Sequence, residues 1–240
     1  MFKSCYLEGK LFIVYWQYIE FFLYIYRPAD EPQTGREMPL TNYSLDNFVS
    51  QEISNLTECN AIDLTQAFDQ AEHWIENFVL NSIFCVNVKQ EYKPFIFAIL
   101  RRAQMALVEH ENGRIALQNY VNGKKDRISI YFRSLYHFEI AINLVYQAHE
   151  IFMKIKKGQL FQKNDGTPLE RLNRIYNVSK HLEPSTIPDT HLHSMWIKND
   201  GLYISTVMLT FEELADLLMD VCGLADKLSN PEIINKVETA

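Results

Sequence analysis

RISIYFRSLYHFEIAINLVYQAHEIFMKI, residues 127–155, decides the fold class. Ile128, Tyr131, Leu135, Phe138, Ile142, Val145, Ala148, Phe152 and Ile155 recur three or four apart, the repeat of one face of an α-helix. Asp126 stands before the run, and Lys154, Lys156 and Lys157 stand at its end. Each sign suits the helix dipole at its own terminus. At 1.5 Å per residue such a helix spans ~43 Å, the length of a central rod in a helical bundle.

Working outward, the same period recurs on both sides. Leu45, Phe48, Val49, Ile53 and Leu56 predict a helix that starts at Ser44. Asp63 is a candidate N-cap for a second, carried by Leu64, Ala67, Phe68, Ala71, Ile75, Phe78 and Val79. Pro94 fits a first helical turn; PFIFAILRRAQMALVEH then runs to an expected stop at Asn112-Gly113. A short helix, RIALQNYV, is expected to end at Asn122-Gly123.

Beyond the rod, Thr167, Pro168 and Glu170 read as a capping box with proline at the first helical position. MWIKNDGLYISTVML, residues 195–209, reads as two short strands around Asn199-Asp200-Gly201. A second capping box, Thr210 with Glu213, opens the last helix through Leu214, Leu217, Leu218, Val221, Cys222 and Leu228. The expectation is an all-α bundle with one small β-hairpin before its final helix.

Bulk composition agrees with this class and excludes several others. The chain of 240 residues holds only 8 glycines and 8 prolines, too few for the many tight turns of an all-β protein. Its net charge of −7 supplies no global field for nucleic acid, so any RNA contact must be local. Cys5, Cys59, Cys85 and Cys222 are scattered, with no pair at metal-ligand spacing and no disulfide framework. Sequons at Asn42, Asn55 and Asn177 carry meaning only outside a reducing compartment, and a cytoplasmic location is expected.

LFIVYWQYIEFFLYIY, residues 11–26, is the most apolar stretch. It would reach ~24 Å of a ~30 Å hydrocarbon core, and no small-residue cleavage site follows it, so neither a span nor a signal peptide is expected. Three readings stay open for residues 1–37. They form an aromatic helix, or they are upstream sequence outside a native domain running from Met38 to residue 240, or they present a partner surface.

The chemistry-bearing stretch is RIYNVSKHLEP, residues 174–184. At about 100° per residue, Arg174, Asn177 and His181 share a wedge of about 60°, flanked by Arg171. Leu172, Ile175, Tyr176 and Leu182 fall on the opposite side. An imidazole can transfer protons near neutral pH, a guanidinium can neutralise a phosphate through two bonds, and an amide can orient either partner or a 2′-hydroxyl. Arg171 and Lys180 would add contacts to an RNA backbone.

A capped amphipathic helix carrying R-x(6)-H late in a helical chain resembles the HEPN superfamily, over roughly residues 44–230. The resemblance implies a homodimer without metal or other cofactor. It also implies an association with RNA as a metal-independent endoribonuclease of bacterial defence or toxin–antitoxin systems, paired with an antitoxin or other protein. Arg174, Asn177 and His181 would be its catalytic set. This chain departs from the pattern in having Ile175 directly after the arginine, where active members carry a polar residue. Matching Asn177 to that residue instead places Tyr176 where the arginine belongs. The alternative reading is a non-catalytic interaction module whose polar stripe is structural.

Other candidates are weaker. His191 and His193 could be half of a metal site or two loop histidines. Arg133 and His137, at i and i+4 near Glu139, are a solvated edge or a contribution to the RIYNVSKH site. Arg101 and Arg102, inside an apolar helix, are expected to meet acids within the chain or across a dimer, or else RNA. The aromatic residues, at helical spacing, read as core, and there is no phosphate-binding glycine loop or nucleophile elbow.

Overall fold

Two antiparallel helices of 29 residues each, α3 (Lys93–Val121) and α4 (Ile128–Lys156), form the centre of the structure. The other elements in chain order are α1 (Asn42–Phe48), α2 (Phe68–Phe84), α5 (Pro168–His181), β1 (Met195–Lys198), β2 (Gly201–Ile204), β3 (Val207–Thr210) and α6 (Phe211–Ser229). The computed structural model describes residues 42–84, 88–123, 128–181, 187, 191, 193–205 and 207–229. The aromatic segment 11–26, the Met38 start, Asp126 and Leu182 lie outside these residues.

The rod helix is read from sequence to within one residue at each end. Tyr131, Leu135, Phe138, Ile142, Val145 and Ala148 are all buried along one face. Against them α3 sets Ile99, Leu100, Ala103, Ala106, Leu107 and Leu117. Phe138 is the hinge of the core, edge-on to His110 of α3 and tilted against Phe211 of α6.

The expected break at Asn112-Gly113 does not occur: α3 is continuous from Lys93 to Val121, and RIALQNYV is its last part. Gly113 serves a close approach instead of a stop. A Cβ there would sit 3.2 Å from three ring carbons of Phe138, and Ser134 Oγ donates to the Gly113 carbonyl at 2.8 Å. The glycine lets α3 and α4 come together where a side chain would hold them apart.

The first predicted helix is also different. α1 ends at Phe48, and Glu52 adopts a left-handed φ of 56° before a 3₁₀ turn at Ile53–Asn55. Asp46 causes the reversal by accepting both the N–H and the hydroxyl of Ser54. Leu45, Val49, Ile53 and Leu56 are nevertheless buried, whereas Phe48 is half exposed. Asp63 is not an N-cap: it accepts the Thr65 N–H at 3.0 Å just ahead of a 3₁₀ turn, Thr65–Ala67, whose cap position is Leu64, and α2 starts only at Phe68. Val79, expected inside, faces solvent.

Both capping boxes exist, one of them altered. Thr210 and Glu213 bond reciprocally, each side chain to the other's N–H, at 3.0 and 3.1 Å. At α5 Thr167 Oγ accepts the Glu170 N–H at 3.3 Å, but Asp165 takes the Thr167 N–H. Glu170 reaches past to the N–H groups of Asn164 and Gly166.

The expected hairpin is part of a three-stranded antiparallel sheet, order β1-β2-β3. Lys198 pairs with Gly201 around Asn199-Asp200, and Ile204 pairs with Val207 around a second tight turn. Gly201 admits no side chain, because a Cβ would lie 2.4 Å from the Leu209 carbonyl oxygen. Tyr131 of α4 ties the sheet to the bundle: its hydroxyl accepts the Ile197 N–H at 2.9 Å and pairs with Ser50 at 2.9 Å. Burial pushes that phenol up to about 12.

Candidate functional site

α5 is amphipathic by composition, and its two faces separate cleanly. Leu172 and Ile175 are fully buried, and Tyr176 is half-buried with its ring stacked on Tyr146 of α4 at 4.4 Å. Arg174, Asn177, Lys180 and His181 are exposed on the other side, along one uninterrupted helix. The geometry expected for the Arg174–Asn177–His181 wedge is therefore present.

The polar groups do not converge on one another. Arg174 Nη2 donates to Glu170 Oε1 at 3.1 Å and to Asn164 Oδ1 at 3.3 Å. Asn177 Nδ2 donates to Asn173 Oδ1 at 3.0 Å, one turn back. Among the described residues no hydrogen bond or ion pair joins His181 to either of them. Glu170 organises the start of the helix: with its side chain buried, it accepts from two backbone N–H groups and from Arg174. The Gly166 N–H bond, with help from Asn164 and Arg174, holds its carboxyl below the usual carboxylate range.

Arg171 is committed elsewhere. It forms an ion pair with Glu213 of α6 and donates to the Gly166 carbonyl at 2.5 Å. Its guanidinium thus ties α5 to the connection before it and to α6. Lys180 lies over the Tyr176 ring at 5.6 Å with its charge in solvent.

A feature not singled out by residue spacing emerges around this helix. Residues 154–181 hold seven lysines and arginines against two carboxylates, in a chain with 23 basic and 30 acidic residues. Lys154, Lys156, Lys157 and Lys163 are exposed on the end of α4 and the connection to α5. The local excess was legible as a charge count and not as a motif.

The remaining candidates resolve into structural roles. His137 turns to α3, where Nδ1–H donates to Glu109 at 2.6 Å; Glu139 accepts from Ser179 of α5. Arg133 is exposed. Arg102, expected to meet an acid, bonds instead to Gln147 at 3.0 Å and to the Ala98 carbonyl, and Arg101 is exposed. His191 donates to the Asp46 carbonyl and His193 accepts the Met195 N–H. Among the described residues no three His, Cys, Asp or Glu side chains are grouped to hold a metal, and no helix is long and apolar enough to cross a membrane.

One buried group was missed by the sequence reading. His110 is wholly enclosed between α3 and α4, and neither ring nitrogen has a hydrogen-bond partner. Burial lowers its pKa to about 4. Nearby, Arg114 is bonded bidentate to Glu111 and bridges to Asp63 at 3.2 Å, fastening the segment before α2 onto α3.

No family model matches the chain, and no curated protein or solved structure matches it either.

Proposed function

We propose that this is an HEPN-like, RNA-associated helical protein that holds RNA against the exposed face of α5 and the basic connection before it. One observation carries the reading. Arg174, Asn177, Lys180 and His181 share a solvent face of a single buried-backed helix, inside the segment that concentrates positive charge in an acidic chain. Phosphate contacts dominate RNA affinity, and a local cluster of this kind is the footprint they need.

Glu170 and Asn164 engage only Nη2 of Arg174 among the described residues, so Nε and Nη1 stay available for a phosphate. If the face is catalytic, His181 accepts the proton of a ribose 2′-hydroxyl as that oxygen attacks the adjacent phosphorus. The P–O5′ bond breaks, the leaving oxygen takes a proton from an acid or water, and a 2′,3′-cyclic phosphate and a 5′-hydroxyl result. Arg174 neutralises the charge that builds on the phosphate, and no metal is required. A homodimer in a toxin or defence setting, with an antitoxin or other protein as partner, belongs to the same reading.

A specific observation favours a second reading, a non-catalytic interaction module. Arg174 and Asn177 bond within their own helix and its preceding loop, as a structural polar edge would. Incubating the protein with total RNA in EDTA, beside His181→Ala, separates the two. Cleavage by the wild type alone, leaving cyclic phosphate ends, supports the enzyme. Intact RNA with both proteins removes the catalytic assignment.

A further inference from the structure

His110 sits in the core of the bundle with nothing to receive or supply a proton. Its ring is fully enclosed, neither nitrogen has a hydrogen-bond partner, and Phe138 of α4 stands edge-on to it at 5.7 Å. A neutral imidazole is tolerated there at a cost, whereas a charged one would be buried without an acceptor. The charges that act on it are Glu111 and Arg114 of its own helix and Asp63 of the segment before α2. From α4 come Phe138, which packs on Phe211 of α6, and His137, which pairs with Glu109 of α3.

The segment 57–64 lies across α3 at this turn. Positions 110 and 114 are one helical turn apart, and the segment is fastened at the second of them. Asp63 bridges to Arg114 at 3.2 Å, and the Cys59 thiol donates to the Arg114 carbonyl at 3.8 Å, while Ala61 and Leu64 are buried. At its other end Asn199 Oδ1 accepts the N–H groups of Thr57 and Glu58, and the Asn199 carbonyl accepts that of Asn60. These holds are weaker than those on the α4 side. α4 is a continuous helix with a buried face set against α3, whereas residues 56–64 form neither helix nor strand. Their ion pair uses an acid that is 56 % exposed, and such a pair contributes little. The segment is therefore the part of the enclosure that yields first.

We infer that His110 and the segment 57–64 form an acid-sensitive latch. With the ring neutral the segment stays strapped to α3; a protonated ring reaches water by displacing the strap, while the two long helices stay paired. The trigger is the ring and not the clamp. The Thr65 hydroxyl and N–H hold the Asp63 carboxyl below the usual carboxylate range, so its pair with Arg114 stays charged in weak acid. With the strap off, the ring binds a proton near 6.5, and beneath it only at about 4, so the open form gains as pH falls through 6.5. Between pH 7 and pH 5 the opening equilibrium of the strap rises about twentyfold. The latch does not rest on the RNA reading, and none of its residues lies on α5.

Hydrogen–deuterium exchange read by mass spectrometry on the full chain at pH 7 and pH 5, with rates corrected for intrinsic exchange at each pH, tests this. Wild-type peptides covering 57–67 are expected to open more readily than peptides from 99–107 and 138–148 at both pH values. Their opening should be about twentyfold greater at pH 5 than at pH 7. In His110→Leu the strap should open equally at the two pH values. Arg114→Gln cuts the ion pair and should raise strap opening at pH 7 while keeping the wild-type helical circular dichroism. The comparison of strap with helix peptides in the wild type stands whether or not either variant folds. Strap peptides that ignore pH, that open only together with the helix peptides, or that respond to acid undiminished in His110→Leu would each overturn the inference. An unchanged strap in a folded Arg114→Gln would do the same.

Discussion

His110 makes the stability of the bundle depend on pH between about 6.5 and about 4. Its imidazole is fully enclosed, edge-on to Phe138, with Glu111 and Arg114 from its own helix and Asp63 from the preceding segment as the charges that act on it. In the unfolded chain it binds a proton near 6.5, whereas in the fold it does so only at about 4. Above 6.5 both states are neutral and the group imposes no pH dependence. Below 6.5 the unfolded chain takes up a proton that the folded one refuses, so stability falls by about 1.4 kcal/mol per pH unit until about pH 4. The whole loss is about 3 kcal/mol, and about 2 kcal/mol of it is incurred between pH 7 and pH 5. Burial also lowers the pKa of His149, which acts with the same sign. The carboxylates held low by hydrogen bonds, Asp63, Asp165 and Glu170, begin to lose their contribution only as pH falls into the ordinary carboxylate range. Urea denaturation followed by circular dichroism at pH 7 and pH 5, on wild type and His110→Leu, isolates the site because the His149 contribution cancels in the difference. The variant is expected to lose about 2 kcal/mol less than wild type on acidification. It is also expected to be more stable at pH 7, since it relieves two unpartnered buried nitrogens. Parallel pH dependence of the two proteins would refute the reasoning.

Gly113→Ala should destabilise the protein by about 1–3 kcal/mol despite the better helix propensity of alanine. The new methyl group meets the Phe138 ring at 3.2 Å inside a closed core, and thermal melting reads the outcome. A rise in melting temperature would mean that α3 and α4 can separate freely there. Thr210→Ala removes the side-chain half of the reciprocal cap on α6 and should cost about 1 kcal/mol, measurable by urea denaturation at pH 7.

Most of the architecture could be read from residue spacing, and the failures have local causes. Long helices with an unbroken apolar repeat, α4 above all, were recovered because burial along one face leaves no other solution. Asn112-Gly113 misled because the same dipeptide that ends helices also permits close packing, and only the Phe138 ring across the interface decides between them. The third strand escaped because its turn carries Ser205, at a left-handed φ of 42°, where a glycine or asparagine would have marked it. Ile53 and Leu56 kept helical spacing without the helix, since Asp46 folds the chain back while the same side chains stay inward.

For the candidate site, helix faces were legible and partners were not. The outward wedge on α5 follows from angle alone. The engagement of Arg171 with Glu213, forty-two residues later, and the diversion of Glu170 from its expected capping bond depend on tertiary approach, which no local pattern records. His110 was invisible for the same reason: its helix position does not reveal that both ring nitrogens are sealed off.

The claim that RNA lies against α5 is tested most directly by fluorescence anisotropy with a short single-stranded RNA, titrated at several salt concentrations. About three phosphate contacts, made by Arg174, Lys180 and the lysines before α5, predict a log–log salt slope of about −2. The double substitution Arg174→Glu with Lys180→Glu should weaken binding at least about tenfold and flatten that slope. Binding that is undetectable for the wild type, or equal for wild type and the charge-reversed protein, would contradict the account.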